Sequence, residues 1–191
     1  VIDWANRQQA WIIEDDYDSE FHYEGKPMAC VQGLDTSDRT IYIGTFTKSL
    51  FPGVRIAYMI VPEELVEPLT MARTLMDGHT ASITQLTLAK FLEGGHFGAY
   101  VRMMRGIYVA RRDKLASLIE TFLSDFVTFT TPAGGMQMPC HLKEGILEGE
   151  VAVAARRAGV DMLGLTGLYA HDPTSTGFLM GFAAYTEQEM E

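Results

Sequence analysis

The hydrophobic period of this chain changes twice, and that change limits the folds open to it. Trp11-Ile12-Ile13, Thr40-Ile41-Tyr42-Ile43 and the run from Ile56 to Val61 are short, apolar and β-rich. They stop at Glu14-Asp15-Asp16, Gly44 and Pro62, as buried strands do when they reach a polar crevice or a turn. The period then becomes helical. Leu65, Leu69, Ala72 and Met76 share one stripe up to Gly78, and Ile83 to Leu92 forms a second helical segment closed by Gly94-Gly95. The span from Phe97 to Leu123 is a long helix with Val101, Met104, Tyr108, Leu115, Ile119 and Phe122 on its apolar stripe. Its other side carries Arg102, Arg105, Arg111, Arg112 and Lys114, which reads most simply as a solvated face. The period then shortens again. Val127-Thr128-Phe129 and Met136 to Leu142 read as strands, Glu148 to Ala158 as a helix ended by Gly159, and Val160 to Leu165 and Phe178 to Phe182 as strands. This order predicts an α/β chain: part of a larger parallel-sheet domain over 1–95, a long connecting helix over 96–124 and a small C-terminal α/β domain over 125–191. Val1 to Asn6 reads as the tail of a helix, and Thr186-x-x-Glu189 is a capping box that opens one. A chain with such ends is expected to be cut from a longer one.

Composition narrows the partners. Apolar residues are 47% of 191, enough for a packed core. Fifteen Lys and Arg against 25 Asp and Glu leave a net charge of 15 − 25 = −10. Such a segment is not expected to grip a phosphate backbone by itself, so any nucleic-acid contact must come from a separate basic domain. Cys30 and Cys140 form neither a disulfide framework nor a metal knuckle and read as small buried hydrophobes. Sparse cysteine suits a reducing cytoplasm. No apolar run approaches the roughly 20 residues that span a bilayer.

Chemistry gathers at two strand ends. The first strand delivers Asp15, with Tyr17 two residues on, and the second delivers Gly44-Thr45-Phe46-Thr47-Lys48-Ser49, with Arg55 seven residues beyond Lys48. Ligands of open α/β sheets bind outside the carboxyl ends of strands, so Asp15, Tyr17 and Lys48 are expected to converge on one crevice, Lys48 from a loop. Together they suit an anionic, electron-deficient cofactor. An amine forms a Schiff base with an aldehyde, a carboxylate keeps a pyridinium nitrogen protonated, a phenol bonds a phenolate oxygen, and Thr and Arg hold a phosphate. The plainer alternatives are a solvated lysine and a solvated acidic turn. Asp16-x-Asp18 lacks a third oxygen ligand at fixed spacing, and His22, His79, His96, His141 and His171 have no metal-ligand spacing, so no metal is expected.

The runs Glu14 to Phe21 and Gly44 to Arg55 resemble the fold-type I pyridoxal-phosphate aminotransferase family. The resemblance is closest to the aminotransferase-like C-terminal domain of the MocR subgroup of GntR-type bacterial transcription regulators. Tyr100 to Asp113, Pro132-Ala133-Gly134-Gly135-Met136 and Gly181-Phe182-Ala183 extend it over nearly the whole chain. It implies that Lys48 carries pyridoxal 5′-phosphate as a Schiff base and moves the proton in any transamination. It also implies that Asp15 pairs with the pyridine nitrogen and Tyr17 with the ring oxygen, and that Arg55, Thr45 and, more weakly, Thr47 bind the phosphate. A homodimer in the cytoplasm, an amino-acid or amine ligand, and DNA contact through a further N-terminal domain are implied as well.

Three positions depart from the pattern. Leu179 occupies the place of the arginine that binds the substrate carboxylate, and Leu cannot make that bidentate pair. Gln137 stands where the regulators often carry His. The family's phosphate-cradling turn and ring-stacking residue belong upstream of Val1, so the site in this chain is expected to be incomplete. An effector-sensing regulator domain, a working class I/II aminotransferase and a cofactor-free dimerisation remnant all remain open at this point.

Overall fold

The computed structural model describes all 191 residues, in two compact units. Unit 1 comprises residues 1–21 and 25–102, and unit 2 comprises 22–24 and 103–191.

Unit 1 starts with α1 (Ile2–Gln8) and β1 (Ile12–Asp16), followed by the short α2 (Val31–Leu34). β2 (Thr40–Thr45) runs straight into α3 (Phe46–Ser49), and β3 (Ala57–Ile60) follows. The sheet order is β1-β2-β3, with β2 parallel to β1 and antiparallel to β3. The strands differ from the expectation at their ends. β1 continues through the acids to Asp16, and β2 passes through Gly44, because the ladder pairs Asp15 with Ile43 and Asp16 with Gly44. Gly44 leaves room for the Tyr58 ring: a Cβ there would stand within 2.7 Å of three atoms of that side chain, and the ring would have to shift. Val54, Ile56 and Leu88 form the small core of this unit, with Phe46 and Leu50 against it.

α4 (Glu63–Asp77) and α5 (Ser82–Glu93) form where the helical stripes predict them. The stripe on α4 is only partly covered by the chain: Leu65 and Leu69 are half-buried, Ala72 is exposed and Met76 is 84% exposed. No helix is long and apolar enough to cross a membrane.

α6 (His96–Phe122) supplies Val101 to the buried set of unit 1 and Ala116 and Ile119 to the core of unit 2. Unit 2 continues with β4 (Val127–Phe129), β5 (Gln137–Leu142), α7 (Glu148–Arg157), β6 (Leu163–Gly164) and β7 (Gly177–Gly181). Its antiparallel sheet has the order β4-β5-β7-β6. Val127, Met138, Cys140 and Phe182 close the core over α6. The strand expected from Val160 to Leu165 shrinks to two residues. Leu163 and Gly164 pair with β7, the Leu165 N–H still reaches the Gly177 carbonyl at 2.9 Å, and the next residues turn under Glu148, which accepts from the Thr166 and Gly177 N–H groups. Cys140 is buried as expected. Cys30 is not: it is partly exposed, and its Sγ caps α2 by accepting from Gly33 N–H.

The basic face of α6 is only partly solvated. Arg112 is 5% exposed. Its guanidinium donates to the Pro132 carbonyl at 2.9 Å, pairs with Glu24 at 2.7 Å and Asp113 at 2.8 Å, and lies over the Tyr23 ring. A buried cation survives where its N–H groups find acceptors, and apart from the neighbouring Asp113 these partners come from segments far from Arg112 in sequence.

Candidate functional site

The site is built at the carboxyl ends of β1 and β2. Parallel pairing brings these ends side by side, so Asp15 lies next to Ile43 and the chain leaving β2 enters α3 immediately beyond. Alternation along a strand sends neighbouring side chains to opposite faces. Asp15 shares its face with Ile13, Ile43 and Thr45, while Glu14 and Asp16 share the other with Tyr42 and Gly44.

The two adjacent aspartates therefore have different fates. Asp16 is engaged on both oxygens, by the Tyr42 hydroxyl at 2.7 Å, the Ser19 hydroxyl at 2.7 Å and the Ser19 N–H at 3.1 Å. Burial raises its pKa, but the bonds from Ser19 and Tyr42 prevail and hold it below the ordinary carboxylate value. Asp15 is exposed and accepts no hydrogen bond from the chain, so its carboxylate is available to a ligand. Tyr17 is exposed on the following turn.

Lys48 sits in the last turn of α3, not on a loop. The helix forms because the Thr45 hydroxyl accepts from Thr47 N–H at 3.1 Å and Leu50 N–H reaches the Phe46 carbonyl at 2.9 Å. Ser49 is fully buried beside it, and Lys48 is left outward and exposed. Asp18 feels that ammonium: burial and Asp16 push the Asp18 carboxyl up, and Lys48 opposes the shift.

Arg55 follows the short turn Pro52–Val54 and has a left-handed backbone, φ 47°. Its neighbours Val54 and Ile56 are both buried, which pins the strained backbone and turns the guanidinium to solvent. The Ile56 carbonyl accepts from Phe46 N–H at 3.0 Å, tying this segment to the start of α3. Thr45 donates to the same carbonyl at 3.3 Å, the long end of the range, and Thr47 has no side-chain partner in the chain.

Sequence reasoning missed Asp16, Tyr42 and Ser19 as one cluster. Asp16-x-x-Ser19 is legible as a local side-chain turn, but nothing local points to Tyr42, which lies 26 residues further along.

The model of the class I and II aminotransferases matches residues 1–169. The chain belongs to the class I and II aminotransferase family. It is 34% identical over 190 residues to the probable rhizopine catabolism regulatory protein MocR of Rhizobium meliloti, covering 100% of this chain and 38% of that protein. It is 35% identical over 190 residues to the HTH-type transcriptional regulator YhdI of Bacillus subtilis, covering 100% of this chain and 40% of that protein. It superposes on the kynurenine aminotransferase of Pyrococcus horikoshii with a TM-score of 0.90 at 28% identity, over 99% of this chain and 47% of that one. The chain thus spans about two fifths of the curated relatives it matches.

The cofactor of this aminotransferase family is pyridoxal 5′-phosphate. The residues present fit it. A free carboxylate and an exposed phenol leave β1, a primary amine stands on α3, and a guanidinium and a free hydroxyl flank it, all in unit 1. That set offers a partner for each polar function of an anionic pyridine aldehyde: its ring nitrogen, ring oxygen, aldehyde and phosphate.

Proposed function

We propose that this chain is the cofactor-binding, effector-sensing part of a bacterial transcription regulator of the MocR/GntR type. Bound pyridoxal phosphate supplies an aldehyde that condenses with amines and an electron-poor ring. Lys48 provides the amine that holds it covalently. Asp15 keeps the ring nitrogen protonated, Tyr17 donates to the ring oxygen, Arg55 and Thr47 bind the phosphate, and Thr45 joins them when its hydroxyl exchanges the long bond to the Ile56 carbonyl for one to the phosphate. The division into a cofactor segment over 1–95, a connecting helix over 96–124 and a small domain over 125–191 belongs to the same reading.

Leu179 carries the choice of sensor over enzyme. It lies mid-strand on β7, paired with Pro139 and Leu163, and no residue from Gly177 to Gly181 is basic. A carboxylate clamp of the ordinary amino-acid kind is therefore missing from this strand. The ligand is an amino acid or amine held mainly through its amino group. The assembly is a homodimer in the cytoplasm: Ile83 is 81% exposed and Leu75 82%, apolar surface of the kind that a partner covers. DNA contact falls to a further domain of the regulator.

A second reading, a working aminotransferase, draws on the 28% identity to an enzyme over 99% of this chain. Turnover separates the two. The full-length protein with pyridoxal phosphate is expected to show a visible absorption band that Lys48→Ala abolishes. It is expected to release no keto acid over many cycles from L-amino acids and 2-oxo acids. Sustained amino transfer would overturn the sensor reading, and a band that persists in Lys48→Ala would overturn both.

A further inference from the structure

We propose that Tyr42 is a positioning residue for the cofactor site: through Asp16 it sets which of two adjacent aspartates faces the ligand and how Tyr17 leaves the strand. The inference rests on the reading of Asp15 and Tyr17 as cofactor ligands. Asp15 and Asp16 are chemically identical, and a one-residue slip of the strand end would exchange them. The Tyr42 hydroxyl, 2.7 Å from Asp16, holds Asp16 on the face opposite Asp15. The Ser19 hydroxyl bonds the same Asp16 oxygen as Tyr42 and the Ser19 N–H bonds the other, closing a turn from Asp16 to Ser19 that contains Tyr17. The Tyr42 ring is itself buttressed. Its centroid lies 6.2 Å from that of Tyr58, whose ring lies 5.5 Å from that of Phe46, the first residue of the helix bearing Lys48. One aromatic row thus underlies both the Asp15 turn and the Lys48 helix. Burial and the bond to Asp16 push the Tyr42 phenol well above its ordinary value, so it remains a donor at physiological pH.

The test is a double-mutant cycle in the full-length apoprotein, titrated with pyridoxal phosphate and read by the visible band and its pH midpoint. Tyr42→Phe is expected to weaken cofactor binding about tenfold, the worth of one bond to a charged group, and to displace the midpoint. Asp16→Asn is expected to do the same, and the double variant to lose no more than the worse single one. Wild-type affinity and midpoint in Tyr42→Phe, or losses that simply multiply, would overturn the proposal. If Tyr42→Phe does not fold, Ser19→Ala removes another donor to Asp16 at an exposed position; a smaller loss in the same direction supports the proposal, and unchanged affinity overturns it. A wild type that stays colourless overturns the cofactor reading and this inference together, whereas a coloured wild type with an indifferent Tyr42→Phe overturns this inference alone.

Discussion

Asp35 accepts from the N–H groups of Ser37 and Arg39, each at 2.8 Å, and from the hydroxyls of Ser37 and Thr40. Ser37 is the largest cause of a carboxyl held far below its usual range. Asp16 and Glu148 are lowered too, each by bonds that outweigh burial. The folded-state pKa of each lies below its unfolded value, so their stabilisation is present above the ordinary carboxylate value near about 4 and is lost as pH falls through the depressed values. Asp18, raised by burial, works in the opposite direction. Thermal melts from pH 7 to pH 3 are expected to show falling stability. Asp35→Asn should start lower at pH 7 and fall less steeply, since its amide cannot titrate. A variant slope equal to the wild type would remove Asp35 from this account. The Asp35 cluster is local and legible in Asp35-x-Ser37-x-Arg39-Thr40, unlike the bond from Tyr42 to Asp16.

At the scale of elements, the strands and helices of the sequence reading recur with changed ends, and pairing accounts for the changes. β1 and β2 run past their polar stops because each supplies the other's ladder. β7 is tighter still. It is paired on both sides, and Gly177 opposes His141 with φ 154°. A Cβ there would overlap the Cys140 carbonyl and stand 2.9 Å from His141 Cα, both backbone and unable to swing aside. Gly177→Ala is expected to destabilise unit 2 by roughly 3 kcal/mol or more, measured by denaturant unfolding followed at unit 2 reporters. A loss within about 0.5 kcal/mol would mean that β5 and β7 separate easily. Arg112 makes the same point for helices: its place in α6 suggested solvent, and only contacts with residues 23, 24 and 132 explain its burial.

For the whole molecule, the net charge of −10 sets an expectation that needs no coordinates. The isolated chain should leave duplex DNA unretarded even at about 50 mM salt, where phosphate contacts are strong. Retardation that depends on salt would place a nucleic-acid surface within these residues. The sequence by itself determined the fold class and the element order, because period and turn chemistry are local properties of the chain, and its motifs singled out Asp15, Tyr17, Thr45, Thr47, Lys48 and Arg55 as the candidate set through their resemblance to the aminotransferase family. Tertiary structure alone decided that Arg55 is held in a left-handed backbone between two buried neighbours, and that Asp16 is consumed by Tyr42 while Asp15 stays free. Those outcomes depend on strand register and on partners tens of residues away, and such contacts exist only once the sheet has paired.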